Sequence, residues 1–232
     1  MSDFETNSSV VRVRLIFEKR GRACFVPHVC LSTLFARAGR RAGLELSSTE
    51  GFSPRARMSF GPELPAGVVA LSEPADLWLK VRKEITEEKR RDFLQSVTGA
   101  FNAQMPEGFR IIKCALPSDG APALGKACGA AHYLVWIRSG PSLASLAELL
   151  SHMERHYGQA ILNCFIEQAM FSRVSAVIGN PAQNGIGGWV KALVAEDIVA
   201  GWHDMCIVRV NLGRWNGKQM ESTEGGDACF KV

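Results

Sequence analysis

Apolar and polar positions alternate near the start of the chain, where Val11, Val13 and Leu15 interleave with Arg12 and Arg14. A two-residue period predicts a strand over residues 10–17. The basic run Lys19-Arg20-Gly21-Arg22 reads as a turn, and residues 23–26 read as a second short strand. The period then changes. Leu31, Leu34, Phe35, Ala38 and Ala42 fall at helical spacing, with Gly43 at the expected stop. Gly39 inside that helix costs about 1 kcal/mol relative to alanine, which points to close packing of its backbone. Gly51, Pro54, Gly61, Pro62, Pro65 and Gly67 punctuate residues 49–67, which read as a long ordered loop. A strand follows at residues 77–81. A helix then opens after Thr86, burying Phe93, Leu94, Val97 and Phe101, and a further strand is predicted over residues 109–116.

If one strand lies within or beside the long loop, the order is β-α-β-β-α-β, a ferredoxin-like α+β arrangement. Residues 1–117 form this expected N-terminal domain. Residues 118–130, rich in Gly, Pro and Ala, read as a linker. A similar rhythm restarts afterwards, with a strand at 131–138, a helix at 141–157, an extended segment at 163–171 and a strong closing strand at 205–212. We therefore expect a second related α+β domain over residues 131–215 and a mobile polar tail over 216–232. Residues 172–204 carry no decisive period.

The composition is that of an ordinary globular protein, 47% hydrophobic and 22% charged, which excludes disorder as the main state. The net charge of +4 over 232 residues says little until it is located. Residues 1–60 hold 10 Lys/Arg against 5 Asp/Glu, whereas residues 61–232 hold 17 against 18. All of the excess lies in the first quarter. The N-terminus lacks the basic and apolar regions of a signal peptide, and no apolar run is long enough to span a bilayer. Seven scattered cysteines, an odd number without a CxxC pair, fit a reducing cytoplasm and core packing better than a disulfide framework or a metal site. No cofactor or metal is expected.

The informative stretch is residues 19–67. It combines a basic turn (Lys19, Arg20, Arg22), a histidine at a helix start (His28), a basic helix (Arg37, Arg40, Arg41) and a loop carrying Phe52, Arg55, Arg57 and Phe60. Basic residues interleaved with aromatics suit RNA, since arginines pair with phosphates and a phenylalanine can stack on a base. The alternative is that Phe52 and Phe60 anchor the loop in the core while the arginines form a solvated face. The pieces Arg20-Gly21-Arg22-Ala23, Phe25, His28, Arg40-Arg41-Ala42-Gly43-Leu44, Gly51-Phe52-Ser53-Pro54-Arg55, Ser59-Phe60-Gly61 and Leu64-Pro65-Ala66-Gly67 follow one another in order. In these the stretch resembles the radical-SAM-linked protein family, a domain of unknown function found beside or fused to radical SAM enzymes. That resemblance implies an accessory role beside a radical SAM partner. The chain departs from the family at Pro27-His28-Val29-Cys30, where a Ser-His-Leu-Asp-like run is usual, so the histidine lacks its acidic partner. It departs again at Thr33, in place of an arginine, and at Glu50, in place of a glutamine.

His28 is the one catalytic candidate, as a general acid or base, against a structural role at the helix start. His152 and His156 stand four residues apart and could share a metal, although solvent exposure beside Arg155 is the favoured reading. Gly185-Ile186-Gly187-Gly188 fits neither a dinucleotide fingerprint nor a P-loop and reads as a flexible loop. Three functions remain in competition. The first is an RNA-binding or substrate-presenting module working with a radical SAM enzyme, using Lys19, Arg20, Arg22, Arg37, Arg40, Arg41, Phe52, Arg55 and Arg57. The second is an endonuclease-like RNA-processing enzyme using His28. The third is a protein-interaction scaffold whose basic face meets an acidic partner. The accessory module leads.

Overall fold

The computed structural model describes residues 9–82, 84–138, 143–168 and 170–223. Strand β1 (Ser9–Lys19) turns Val13, Leu15 and Phe17 into the core, as its alternation requires. The expected strand after the basic turn is instead a 3-10 turn (Gly21–Phe25). Ala23 and Cys24 are both buried there, and Val26 N–H closes the turn on Ala23 O at 3.0 Å. Helix α1 (Leu31–Arg41) buries Leu31, Phe35 and Ala38 and ends at Gly43, whose φ of 72° is left-handed. A Cβ at Gly39 would lie 3.2 Å from Leu46 Cδ1 and 3.3 Å from Phe101 Cζ, so the close packing expected of this glycine is present.

The long loop contains its strand. Residues 44–60 fold back on themselves through Thr49 N–H to Arg55 O and Arg57 N–H to Ser47 O, both 2.7 Å. The returning arm ends in β2 (Met58–Phe60), which pairs with β3 (Val69–Val81). Strand β3 begins eight residues earlier than its apolar end at residues 77–81 suggests, because Glu73, Pro74 and Asp76 interrupt the pattern. Helix α2 (Glu87–Asn102) and β4 (Phe109–Ala115) complete the first half, and β1 lies between β3 and β4.

The second half repeats the order. Strand β5 (Ala130–Ile137) is followed by helix α4 (Leu143–Tyr157), with the single turn α3 (Leu124–Ala127) preceding both. Strands β6 (Ile161–Glu167) and β7 (Arg173–Gly179), helix α5 (Ile186–Ala195) and β8 (Met205–Trp215) follow. The segment without a decisive period therefore holds β7 and α5. The Gly-rich loop is the first turn of α5, held because Ile186, Trp189, Val190 and Leu193 are buried on one side. A short β9 (Met220–Ser222) pairs with β8. The tail expected to be mobile, residues 216–232, thus includes a strand paired with β8, and its residues beyond 223 lie outside the described residues.

The protein is mixed α+β, with one mostly antiparallel sheet in the order β4-β1-β3-β8-β5-β7-β6. Each half has its own core, one around Phe17, Phe35 and Phe101, the other around Tyr133, Met153 and Trp189. The halves join through a short parallel pairing of β3 with β8, Val69 opposite Val208 and Ala70 opposite Arg209. Residues 118–130 do more than connect. Leu124 and Cys128 are fully buried in the second core, which also takes Val68 and Ala70 from the first half.

At this junction Arg209 is completely buried. Its Nε donates to Glu73 Oε1 (2.7 Å) and its Nη2 to Glu73 Oε2. Nη2 also donates to Pro62 O (2.9 Å), while Nη1 donates to Glu63 O (3.0 Å) and reaches the Tyr133 hydroxyl at 3.5 Å. All five guanidinium N–H groups thus face acceptors. Burial opposes the charge and the Glu73 carboxylate outweighs it, so Arg209 stays protonated. Arg209→Met should cost about 3–5 kcal/mol in urea unfolding, because it strands a buried carboxylate. Adding Glu73→Gln should recover part of that loss. Strictly additive losses would show that the two groups are not coupled.

Candidate nucleic-acid surface and the charged junction beneath it

The 3-10 turns Gly21–Phe25 and His28–Cys30 carry the chain from β1 into α1 and lay Lys19, Cys24 and His28 against the junction. Lys19 is buried. Its ammonium donates to Val26 O at 3.0 Å, and burial lowers its pKa. It is therefore removed from the expected RNA-contacting set, because a side chain enclosed in this way cannot meet a phosphate. Cys24 donates to Lys19 O at 3.3 Å, and burial raises its thiol pKa.

His28 is half-buried, and its Nδ1 is enclosed without a hydrogen-bond partner. The ring meets Phe60 edge-on, with centroids 6.1 Å apart. Burial, then the Arg209 charge, lowers its pKa, so the imidazole is neutral. Cys30 is exposed, Cys24 and Cys128 are buried, and Cys114, Cys164 and Cys206 are partly exposed. Core packing thus describes only some of the cysteines, and Cys229 lies outside the described residues.

The remaining basic candidates sit on three elements. Arg22 is exposed on the first 3-10 turn, Arg37 and Arg40 on α1, and Arg55 on the hairpin. These four have no ion-pair partner among the described residues. Arg20 is tied to Glu18 at 2.7 Å, and Arg41 donates to Gln104 O at 2.8 Å, with both side chains still at the surface. Arg57 lies 4.4 Å over the Trp78 ring, which Arg12 also approaches at 5.8 Å. The two phenylalanines separate cleanly. Phe52 is fully exposed at the hairpin tip, whereas Phe60 packs edge-on against Phe17 and Phe35.

Part of the N-terminal charge is spent internally. Arg14 is buried and donates to both oxygens of the buried Asp76, at 2.7 and 3.0 Å, and Arg12 binds the same carboxylate. Their remaining donors take Ala121 O, Pro122 O and Thr223 O. Sequence reasoning passed over Asp76, Glu73 and Arg209. The available signal was a charged residue inside an otherwise apolar strand, as in Met205-Cys206-Ile207-Val208-Arg209-Val210.

In the second half His152 is buried, contrary to the expected exposure. Its Nδ1 accepts from Trp189 Nε1 at 3.0 Å and its Nε2 faces Glu196 at 3.2 Å. The reason is helix α5, in the segment without a decisive period, which supplies Trp189 as the packing partner of α4. Both ring nitrogens of His152 are occupied. Among the described residues no cluster of three His, Cys, Asp or Glu is placed to hold a metal ion.

A family model described as "Uncharacterized protein conserved in bacteria (DUF2344)" matches residues 12–173, more than half of the chain. The chain belongs to that family. The DUF2344 match runs from β1 to the first residue of β7, so it includes His28, the arginine-bearing elements and Glu73, and stops short of Arg209. No curated protein matches. Among solved structures, an unknown protein from Galdieria sulphuraria is 11% identical, covering 86% of this chain and 96% of that one, with a TM-score of 0.27. The ligand-free regulatory subunit of aspartate kinase from Thermus thermophilus is 15% identical, covering 79% and 91%, with a TM-score of 0.24.

The lowered pKa of His28 has a definite sign in stability. An unfolded histidine takes up its proton near 6.5, and the folded one does so only at lower pH. Stability is therefore full above pH 6.5 and falls as the pH drops from there toward the folded value, by at most about 1.4 kcal/mol per pH unit for one group. Urea midpoints of wild type and His28→Gln should diverge less at pH 5.5 than at pH 7.5. A constant difference would remove His28 from the acid response.

Proposed function

We propose that the protein is a non-catalytic RNA-binding or substrate-presenting module that works beside a radical SAM enzyme. The observation that carries the RNA part is the exposed set Arg22, Arg37, Arg40 and Arg55, without ion-pair partners among the described residues, accompanied by a fully exposed Phe52 at the hairpin tip. Unpaired guanidinium groups at the surface release counterions when they meet phosphates, and an exposed ring is a platform for a base. Phe60 by contrast packs against Phe17 and Phe35 at the edge of the core. Each half runs β-α-β-β-α-β with its first and third strands central, which is the ferredoxin-like pattern. The radical SAM partner comes from the resemblance of residues 20–67 and stands on that alone.

Nothing in the geometry favours the endonuclease reading. His28 is neutral and packed against Phe60, with one nitrogen enclosed, which suits a structural post.

Fluorescence polarisation with tRNA at low salt tests the proposal. Binding should weaken as salt is raised, and Arg37→Glu with Arg40→Glu and Arg55→Glu should weaken it at least tenfold. Phe52→Ala should cost several-fold if a base stacks there. No binding at low salt, or binding indifferent to the charge reversals, overturns the RNA reading. A nuclease-insensitive complex containing only protein would favour the scaffold instead.

A further inference from the structure

The sheet of the second half has a face turned away from α4 and α5. There the register aligns Asn163 of β6, Val177 of β7, His132 of β5 and Asn211 of β8 in one row across four strands. Neighbouring Ser175 holds His132, Oγ to Nε2, at 2.9 Å. The β8–β9 hairpin rises beside this row. It sits so close that a Cβ on Gly213 would overlap Glu221 O, so only glycine admits it. Together the row and the hairpin enclose a cavity of about 270 Å³.

Three features of this cavity point to a ligand. Asn211 is 9% exposed, lines the cavity and has a buried Oδ1 with no hydrogen-bond partner among the described residues. An orphaned buried acceptor costs about 1–3 kcal/mol, a penalty that an incoming N–H would relieve. Phe165, 45% exposed on the strand edge, and Trp215 on the hairpin also line it, giving two aromatic surfaces where a soluble sheet face needs none. Lys218 stands at the hairpin turn, its side chain exposed. An asparagine amide offers a donor and an acceptor side by side, the complement of adenine's amino group and adjacent ring nitrogen. Aromatic rings supply the stacking surface, and a lysine at the rim suits a phosphate.

We infer that this cavity is a nucleobase subsite that takes an adenine, stacked on Phe165 and paired edge-on with Asn211. The base is supplied either by single-stranded RNA or by a free nucleotide. The RNA source rests on the function proposed above. The free-nucleotide source does not, and the cavity shares no residue with the arginine surface.

Isothermal titration of the full chain with adenosine 5′-monophosphate, ribose 5-phosphate and a single-stranded oligoadenylate tests it. The adenine ligands should bind and ribose 5-phosphate should bind at least tenfold more weakly. Phe165→Ala, at a half-exposed position on the edge strand, and Asn211→Asp, which replaces the donor, should each weaken adenine binding about tenfold. Thermal unfolding of both variants confirms that they are folded. Binding of the oligonucleotide but not the mononucleotide identifies RNA as the source, and the reverse identifies a free nucleotide. Failure of both adenine ligands, equal binding of ribose 5-phosphate, or affinities unchanged in Phe165→Ala overturns the subsite. The Arg37, Arg40 and Arg55 reversals leave mononucleotide binding unchanged, so loss of the arginine surface and loss of the cavity are separable.

Discussion

Arg209 and Glu73 meet at the only place where the two halves of the sheet are hydrogen-bonded to each other among the described strands. A charge buried this completely is tolerated only when its whole donor set is used, and here the carboxylate, two backbone carbonyls and a tyrosine hydroxyl use it. The consequences spread outward. Binding Pro62 O and Glu63 O fixes the chain between β2 and β3, the same chain that delivers Leu64 and Val68 to the second core. The pairing of β3 with β8 covers only two residue pairs, and α3 adds Leu124 and Cys128 to the packing around it. The ion pair therefore stands where the two halves meet and ties the chain between β2 and β3 to β8.

A second buried carboxylate, Asp76, plays the matching part on the opposite side of β3. It gathers Arg12 and Arg14, whose spare donors clasp the backbone at residues 121, 122 and 223. Three of the N-terminal cations, counting Lys19, thus act as internal fasteners. What remains at the surface is a smaller and differently placed positive field than the residue count suggests, on the first 3-10 turn, α1 and the hairpin rather than on β1. Electrostatic steering of a polyanion depends on that exposed remainder alone.

The two faces of the sheet divide the labour. One face is sealed by helices and carries the cores. The other is bare in part, and on it polar and aromatic side chains stand in register across strands, as His132, Asn211 and Phe165 do. Neighbouring strands place side chains about 5 Å apart, a spacing that suits flat ligands and the bases of single-stranded nucleic acid.

Local pattern was enough to reveal β1, α1, α2, β4, β5, α4 and β8, because each has a period set by its own backbone and one buried side. It also revealed the packing demand at Gly39 and the clustering of charge before residue 60. The upstream part of β3 escaped because Glu73, Pro74 and Asp76 look like a loop until their partners are known. Helix α5 escaped because its glycines resemble a flexible segment until Trp189 is seen against His152. Whether Lys19 is a surface cation or Phe52 a core anchor is not a local property. Burial is decided by chain distant in sequence, as for Glu73, whose partner Arg209 lies 136 residues away.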